Sequence, residues 1–493
     1  MADLTSSDYE YFQSRGLAAD DIERQLSLLR ADRSSLRLAR PCRAGDGIEI
    51  LETEKQAFLT RVFESSEFSR AAFVPASGAA TRMFRDLLAW REGSREPSVS
   101  AAVDRIAEQA AHLPFALSEG ARQDVSRLVA ELLSREALDL AGLPKGLLPF
   151  HRYGAGARTA FAEHLAEAVH YLKESGTSRL HFTVSAPHQA RFESALSAAR
   201  DELEARNRCR YDVSFSTQEP RTDTVCLDVS GDLIRDSSGA PLLRPGGHGS
   251  LLQNLQRVDA DVVFIKNIDN VQAESRHEIT ASWRRVLGGY LVWLRSRITD
   301  LLNGLESNGS TDVAREAAVF VQRQLGIRSM FAGDDLSAQW LAHRLDRPLR
   351  VCGVVANEGQ AGGGPFWVPS ADGSISKQIV ESAQVSSALE QQEIFQRGTH
   401  FNPVDMVCSM KNRRGESYDL EEFVDLDAAF VTEKSVDGRT LRALEWPGLW
   451  NGSMAGWNTV FVEIPGDLFA PVKTVLDLLG PLHQPAVASR AAV

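Results

Sequence analysis

Several short stretches of this sequence carry residue types that handle phosphate. In Pro75-Ala-Ser-Gly-Ala-Ala-Thr-Arg-Met83, the apolar run from Ala71 to Val74 leads into small residues, and a helix is expected near Met83. Strand, small-residue loop and helix start together make a phosphate site, because unpaired backbone N–H groups and the helix dipole face the anion. Arg82 adds a fixed positive charge. The same residues also suit a tight strand-to-helix turn packed with small side chains. In Leu143-Pro-Lys-Gly-Leu-Leu-Pro-Phe150, Lys145 sits between Pro144 and Gly146 inside an apolar loop. A charge is seldom left there unless an anion meets it, although a surface lysine in a proline-bounded turn is the plainer reading. Lys473 falls in the first turn of a helix expected from about Val472 to Leu479. A cation is unfavourable beside a helix amino terminus, so it is either solvated or meets a bound anion.

The stretch from Arg244 to Asn270 adds a metal-binding candidate. Pro245, Gly246 and Gly247 demand a turn, and Gly249 allows close approach of the backbone. Leu251, Leu252 and Leu255 then share one helical face, and Val262 to Ile265 reads as a buried parallel strand. Asn267, Asp269 and Asn270 lie just past its carboxyl end, where open α/β sheets present ligand groups. Asp269 is placed to hold a divalent cation there. Turn, helix and strand ending in Asp also describe many α/β proteins without such a site.

The elements that must position these groups alternate. Strands are expected at Leu180 to Val184 and Tyr211 to Ser216, with helices at Ala157 to Leu172 and on to about Ala205. That alternation implies a mostly parallel sheet flanked by helices. Gln218, just past a strand end, suits either a base edge or a loop cap. Residues 1–66 read as a helical extension, with Ile22, Leu26 and Leu29 on one face, and about 92–140 as a helical insertion into a core spanning 67–350. From 351 to 493 the texture turns to strands, with a Gly-rich loop at Asn357 to Pro365 and a turn at Asp372-Gly373. The aromatic-rich run Glu445 to Met454 suits a sugar-stacking platform or ordinary core.

At 493 residues, 43% hydrophobic and 24% charged, the chain has ample material for a large core. A net charge of −12 argues against nucleic acid or an anionic membrane as partner. The five cysteines are scattered and form no CxxC pair, which fits a reducing compartment and no structural zinc. With no signal-peptide pattern at Met1 to Phe12 and no run of about 18 apolar residues, the expected location is the cytoplasm.

Taken in order, the motifs resemble the UDP-sugar pyrophosphorylases, most closely the UDP-N-acetylglucosamine pyrophosphorylase branch of the nucleotidyltransferases. SGAATRM is similar to that family's Gly-Gly-x-Gly-Thr-Arg loop, PKGLLPF to its Pro-Lys-Gly segment, PGGHG to its Pro-Gly-Gly-Asn-Gly turn and IDN to its Asp-Asn metal site. GVV, the following DG turn, VES and FAPVKT resemble its strand pair and its Phe-x-Pro-x-Lys-Asn motif, so the similarity runs from about Ala71 to Thr474. Ser77 and Ala80 replace glycines of the family loop, and His248 replaces its Asn.

The resemblance implies an α/β fold of the Rossmann-like, GT-A-like nucleotidyltransferase type, with a mixed sheet flanked by helices. It implies transfer of a nucleotidyl group from a nucleoside triphosphate, UTP favoured, to a sugar 1-phosphate, with Mg²⁺ on Asp269. Arg82 and Lys145 would take the pyrophosphate and Lys473 the sugar phosphate. Ser77, Gly78, Ala79 and Thr81 would line the triphosphate, with Gln218, Gly246 and Gly247 at the base and His248 near the nucleotide. Gly353, Glu381 and Asn402 would meet the sugar. Rival classes are a glycosyltransferase of related fold, for which the Asp-x-Asp motif is missing at Ile268-Asp269-Asn270, and a non-catalytic sugar-nucleotide binder.

Overall fold

A computed structural model describes residues 4–31, 36–154, 156–308, 311–329, 337–359, 362–370, 373–436 and 439–484. The expected turn residue Asp372 and part of the expected Gly-rich loop, residues 360 and 361, lie outside these. The architecture is mixed α/β. The chain divides into two compact units, and each takes three separate segments. The first holds Met1–Phe68, Gln218–Val263 and Val286–Ile464, the second Ser69–Thr217, Phe264–Arg285 and Pro465–Val493.

The second unit contains a parallel array of Arg70–Pro75, Thr177–Thr183 and Arg210–Ser216, in that order, with Ala72 opposite Leu180 and Leu180 opposite Val213. Arg70–Pro75 reads as a short apolar run, as expected for a strand covered on both faces, whereas Thr177–Thr183 and Arg210–Ser216 carry polar residues at alternate positions. Parallel neighbours need crossovers, and helices Ala160–Leu172 and Gln189–Asn207 supply the helical segments between these strands. The first is capped by Thr159, whose hydroxyl accepts from the Ala162 N–H at 3.2 Å. It is buried almost all round, including the polar residues Glu163, His164 and Glu167. A helix that buries carboxylates must pair them, and this one does so with partners described below. Between residues 92 and 140 the chain forms the helices Pro97–Glu108, Glu119–Gln123 and Val125–Leu133. Pro97 opens the first, where its missing N–H costs nothing, and Ser118 and Asp124 cap the others.

The first unit carries a mixed sheet ordered Arg43–Ala44, Gly47–Glu49, Asn458–Glu463, Leu349–Ala356, His400–Ser409. Leu349–Ala356 runs parallel to Asn458–Glu463 and antiparallel to His400–Ser409, with a bulge between Gly353 and Val355. Two smaller antiparallel sheets flank it in sequence, one containing Gly364–Pro369 and Ser374–Val380, the other Asp223–Asp228, Phe430–Val436 and Arg439–Glu445. The amino-terminal stretch forms two helices, Ser6–Ser14 and Ala19–Ala31, and Gly16 takes a positive φ of 79° between them. Ile22, Leu26 and Leu29 pack with Val225, Leu227 and Leu444, so these helices cover a sheet face of the same unit. No helix among the described residues is long and apolar enough to cross a membrane.

Candidate functional site

Strand Val262–Lys266 is buried along its whole length, and the chain turns immediately after it. The turn is closed by the Asn270 N–H on the Asn267 carbonyl at 3.1 Å. His164 Nε2 donates to the Ile268 carbonyl at 3.2 Å, fixing the turn from the buried helix beneath it. Desolvation pushes this imidazole down to about 3, so it is neutral near pH 7. Asp269 projects from the turn, 8% exposed, and its Oδ2 accepts from Lys145 Nζ at 2.9 Å and from Lys473 Nζ at 3.2 Å. Burial pushes the Asp269 carboxyl up, but the charges and bonds of Lys145 and Lys473 outweigh it and hold the acid below its ordinary value.

The two lysines differ. Lys145 is 12% exposed in its side chain and also donates to the Val472 carbonyl at 2.7 Å, whereas Lys473 is 59% exposed. Lys145 can sit this deep because Gly146 follows it: a Cβ there would meet the Phe192 ring at 2.8 Å. The segment that carries Lys473 is sewn to the Asp269 turn by Val472 N–H on the Asp269 carbonyl, 2.9 Å, and by Ala470 N–H on Asn270 Oδ1, 3.1 Å. The helix expected at Val472 to Leu479 is only a 3₁₀ turn, Val475–Leu479, held by a Thr474 and Asp477 capping box. Pro471 and Gly480 bound the short segment. No macrodipole therefore opposes Lys473, and its ammonium is drawn instead to Asp269.

The small-residue loop is laced to the lysine loop. Ala80 N–H donates to the Leu143 carbonyl at 3.0 Å and Lys145 N–H to the Gly78 carbonyl at 3.1 Å, with a bridge between Ala79 and Pro144. Ser77, Gly78, Ala79, Thr81 and Arg82 are exposed along this edge. A Cβ on Gly78 would meet nothing within 4 Å, so space lies open above it. The helix expected near Met83 is a 3₁₀ turn, Ala80–Arg82, followed by the seven-residue helix Arg85–Arg91. The anion-facing features here are thus charge and exposed loop, with no long helix behind them.

Beneath the turn lies a second set of buried charges. Glu167 accepts from Lys266 Nζ at 2.9 and 2.8 Å and from Arg284 Nη1 at 2.5 Å, and Arg284 also donates to Tyr171 at 2.7 Å. Glu163 accepts from Tyr153 at 2.6 Å and from Arg158 at 3.0 Å, and it faces His151 at 3.0 Å. Burial raises both acids and their cationic neighbours more than reverse it, leaving them ionised. Nothing local in the sequence marks a carboxylate on a buried helix face as paired.

The remaining candidates lie in the first unit. Gly246 and Gly247 abut the loop Glu445 to Asn451: a Cβ on Gly246 would meet Trp446 at 2.3 Å, and Gly247, at φ 80°, would meet Glu445 at 2.9 Å. At Gly249 a Cβ would fall 2.1 Å from the Pro447 carbonyl. The glycines of this turn make room for a neighbouring loop of the protein. His248 Nδ1 accepts the Leu449 N–H at 3.1 Å and its ring lies on Trp450, centroids 4.4 Å apart. Burial lowers its pKa against the opposing charges of Glu381 and Glu445. Gln218 caps its own loop, donating to Asp223 at 3.3 Å. Asn402 is buried and accepts from Val404 N–H at 3.2 Å, while Glu381 caps the turn Ser382–Gln384. Val404 takes φ 58°, a costly conformation for a β-branched residue, opposite the bulge that follows Gly353. No sequence signal pointed to Val404.

The sequence profile of the family described as "Domain of unknown function (DUF4301)" matches residues 5–484. This chain belongs to that family. No curated protein matches the DUF4301 chain. Solved structures similar to it include a protein from Entamoeba histolytica assigned as UDP-N-acetylglucosamine pyrophosphorylase, 10% identical at a TM-score of 0.44 over 86% of this chain and 80% of that one. Another is a UDP-glucose phosphorylase from Trypanosoma brucei, 14% identical at a TM-score of 0.45 over 96% of this chain and 77% of that one.

Proposed function

We propose that this protein is a sugar-1-phosphate nucleotidylyltransferase of GT-A-like fold, with UTP the favoured donor. The observation that carries the reading is the cluster of Lys145, Asp269 and Lys473, in which two ammonium groups share one carboxylate oxygen at 2.9 and 3.2 Å. One carboxylate against two ammonium groups leaves a net positive charge, beside an open small-residue loop. Phosphates are the natural complement to such a site.

In the reaction, an oxygen of the sugar 1-phosphate attacks the α-phosphorus, the bond from that phosphorus to the bridging oxygen breaks, and pyrophosphate leaves. The protein's task is to align two anions and offset charge gathering on the leaving group. Lys145, fixed by Val472 and Asp269, holds the pyrophosphate together with Arg82. Lys473, the more exposed ammonium, exchanges Asp269 for the incoming sugar phosphate. The resemblance gives Ser77, Gly78, Ala79 and Thr81 to the triphosphate.

Magnesium would reach Asp269 together with substrate phosphates, whose charge offsets that of the two lysines. Both bonds to Asp269 fall on Oδ2, leaving Oδ1 to a cation, and no group of three or more His, Cys, Asp or Glu suited to a metal exists among the described residues. A single carboxylate completed by substrate phosphates is how Mg²⁺ is commonly held. Once bound on Asp269, the ion would neutralise charge on the phosphate oxygens.

One observation favours a non-catalytic binder: the Ala80 amide, in the phosphate loop, is already spent on the Leu143 carbonyl. Pyrophosphate release with Mg²⁺, each common nucleoside triphosphate and a panel of hexose and N-acetylhexosamine 1-phosphates decides between the two. Release with one substrate pair, lost in Lys145→Ala and Asp269→Ala, is the expected result. Binding of a finished nucleotide sugar with no release from any pair would favour the binder.

A further inference from the structure

Four ring nitrogens lie in a row inside the second unit. His151 and His483 are 1% and 3% exposed. His151 Nδ1 lies 3.0 Å from Glu163 Oε1, His151 Nε2 lies 2.9 Å from His483 Nδ1, and His483 Nε2 lies 3.0 Å from the Ala470 carbonyl. The ring centroids are 5.2 Å apart and the planes differ by 17°, as two imidazoles joined edge to edge require. Phe150 walls both rings edge-on.

Both ends of this row are acceptors, a carboxylate and a carbonyl. His151 Nδ1 and His483 Nε2 must therefore each carry a proton. The contact in the middle needs exactly one more. That makes three protons on two imidazoles, one above the neutral count. Without the third, two lone pairs would face each other at 2.9 Å in a dry site, or His483 would have to release Ala470.

We infer that His151 and His483 share this extra proton and act as positioning residues, tying the backbone ahead of Lys473 to the Glu163 carboxylate. The segment reached is the one already sewn to the Asp269 turn through Ala470 N–H and Val472 N–H. Its importance rests on the phosphate-binding role proposed for Lys473; the proton count does not. The titratable groups around the pair are consistent with the charge. Glu163 faces His151 directly and is backed by Tyr153, by Arg158 and, at 3.5 Å, by His277. Arg158 is shared with Glu274, and His277 Nε2 is itself used on the Gln272 carbonyl. Burial, and then the charge of His151, push His483 down to about 4.

The prediction is a pH-dependent latch. When rising pH removes the extra proton, the middle bond is lost and the segment loosens. His483→Gln should remove the dependence, because an amide NH₂ has one proton for Ala470 and a second for a bare His151 Nε2. Nitrogen-15 histidine spectra of the full chain, assigned with His483→Gln, are the direct test. The expected result is His151 protonated on both nitrogens and His483 bare at Nδ1. Hydrogen exchange of residues 465–477, corrected for the intrinsic rate at each pH, is the second measurement. Protection should fall about tenfold on raising pH in the wild type and stay level in His483→Gln. Two neutral imidazoles at a pH where the segment is protected would overturn the proposal, and so would equal pH dependence in the variant. Titration with inorganic pyrophosphate separates the readings: a wild type with the shared proton but no pyrophosphate affinity counts against the function and leaves the latch standing.

Discussion

The second unit contains the same charge arithmetic twice. Asp269 is flanked by Lys145 and Lys473, and Glu167 by Lys266 and Arg284, each a carboxylate between two cations. In the Glu167 trio every member is buried, Lys266 meets both carboxylate oxygens, and Tyr171 takes a further guanidinium proton. The cations there have nowhere else to go. In the Asp269 trio both lysines crowd one oxygen, and Lys473 keeps 59% of its side chain in solvent. The same charges make a structural core in one place and an exchangeable site in the other, and solvent access to a single ammonium is the difference.

Substitutions can break that comparison. Glu167→Gln leaves two buried cations without a counter-charge and is expected to cost about 3–5 kcal/mol, read as a lowered urea midpoint with an unchanged m-value. Asp269→Asn should cost less than half as much, because Lys473 simply turns to water. Equal losses would mean that both trios are structural. Lys145→Ala is expected to slow nucleotidyl transfer about 10²–10³-fold, the scale of losing one fixed donor to a developing anion, measured as kcat for pyrophosphate release. Lys473→Ala should act mainly on KM for the sugar phosphate, by about tenfold, if its ammonium is a binding rather than a bond-breaking contact.

Acid sharpens the contrast further. His164 has its pKa lowered from 6.5 to about 3, so between these values the unfolded chain binds a proton that the folded one refuses. Stability is then complete above about pH 6.5 and lost as pH falls, by about 2 kcal/mol at pH 5 from this residue alone. His164→Asn should flatten the decline of melting temperature between pH 7 and pH 5. An unchanged slope would show that the imidazole is solvated. The smallest effect expected is at the helix that carries these acids: Thr159→Ala removes its cap and should cost about 1 kcal/mol, with transfer kinetics unaltered.

Strands Arg70–Pro75 and Val262–Lys266 were legible because continuous apolar runs bounded by turn residues leave little choice of structure. Lys145, Asp269 and Lys473 were legible one at a time, each as a charge in an awkward place, but their mutual bonds were not. The hairpins Pro149–Tyr153 with Gly156–Thr159 and Phe430–Val436 with Arg439–Glu445 are not legible in the sequence, since neither shows a clean two-residue alternation. His151 and His483 were invisible for a simpler reason: 332 residues separate them, and neither sits in a motif.

The second unit draws on three stretches of chain, and its ionic cluster takes one member from each: Lys145, Asp269 and Lys473. Their bonds close loops of 124 and 204 residues. Contacts of such sequence separation form late, since loop entropy must be overcome before they contribute. During synthesis, Lys145 and Asp269 would leave the ribosome well before Lys473, so a nascent chain has no complete anion trap. Cellular phosphates can therefore stabilise only the finished fold, and an early ligand cannot lock in a half-built one.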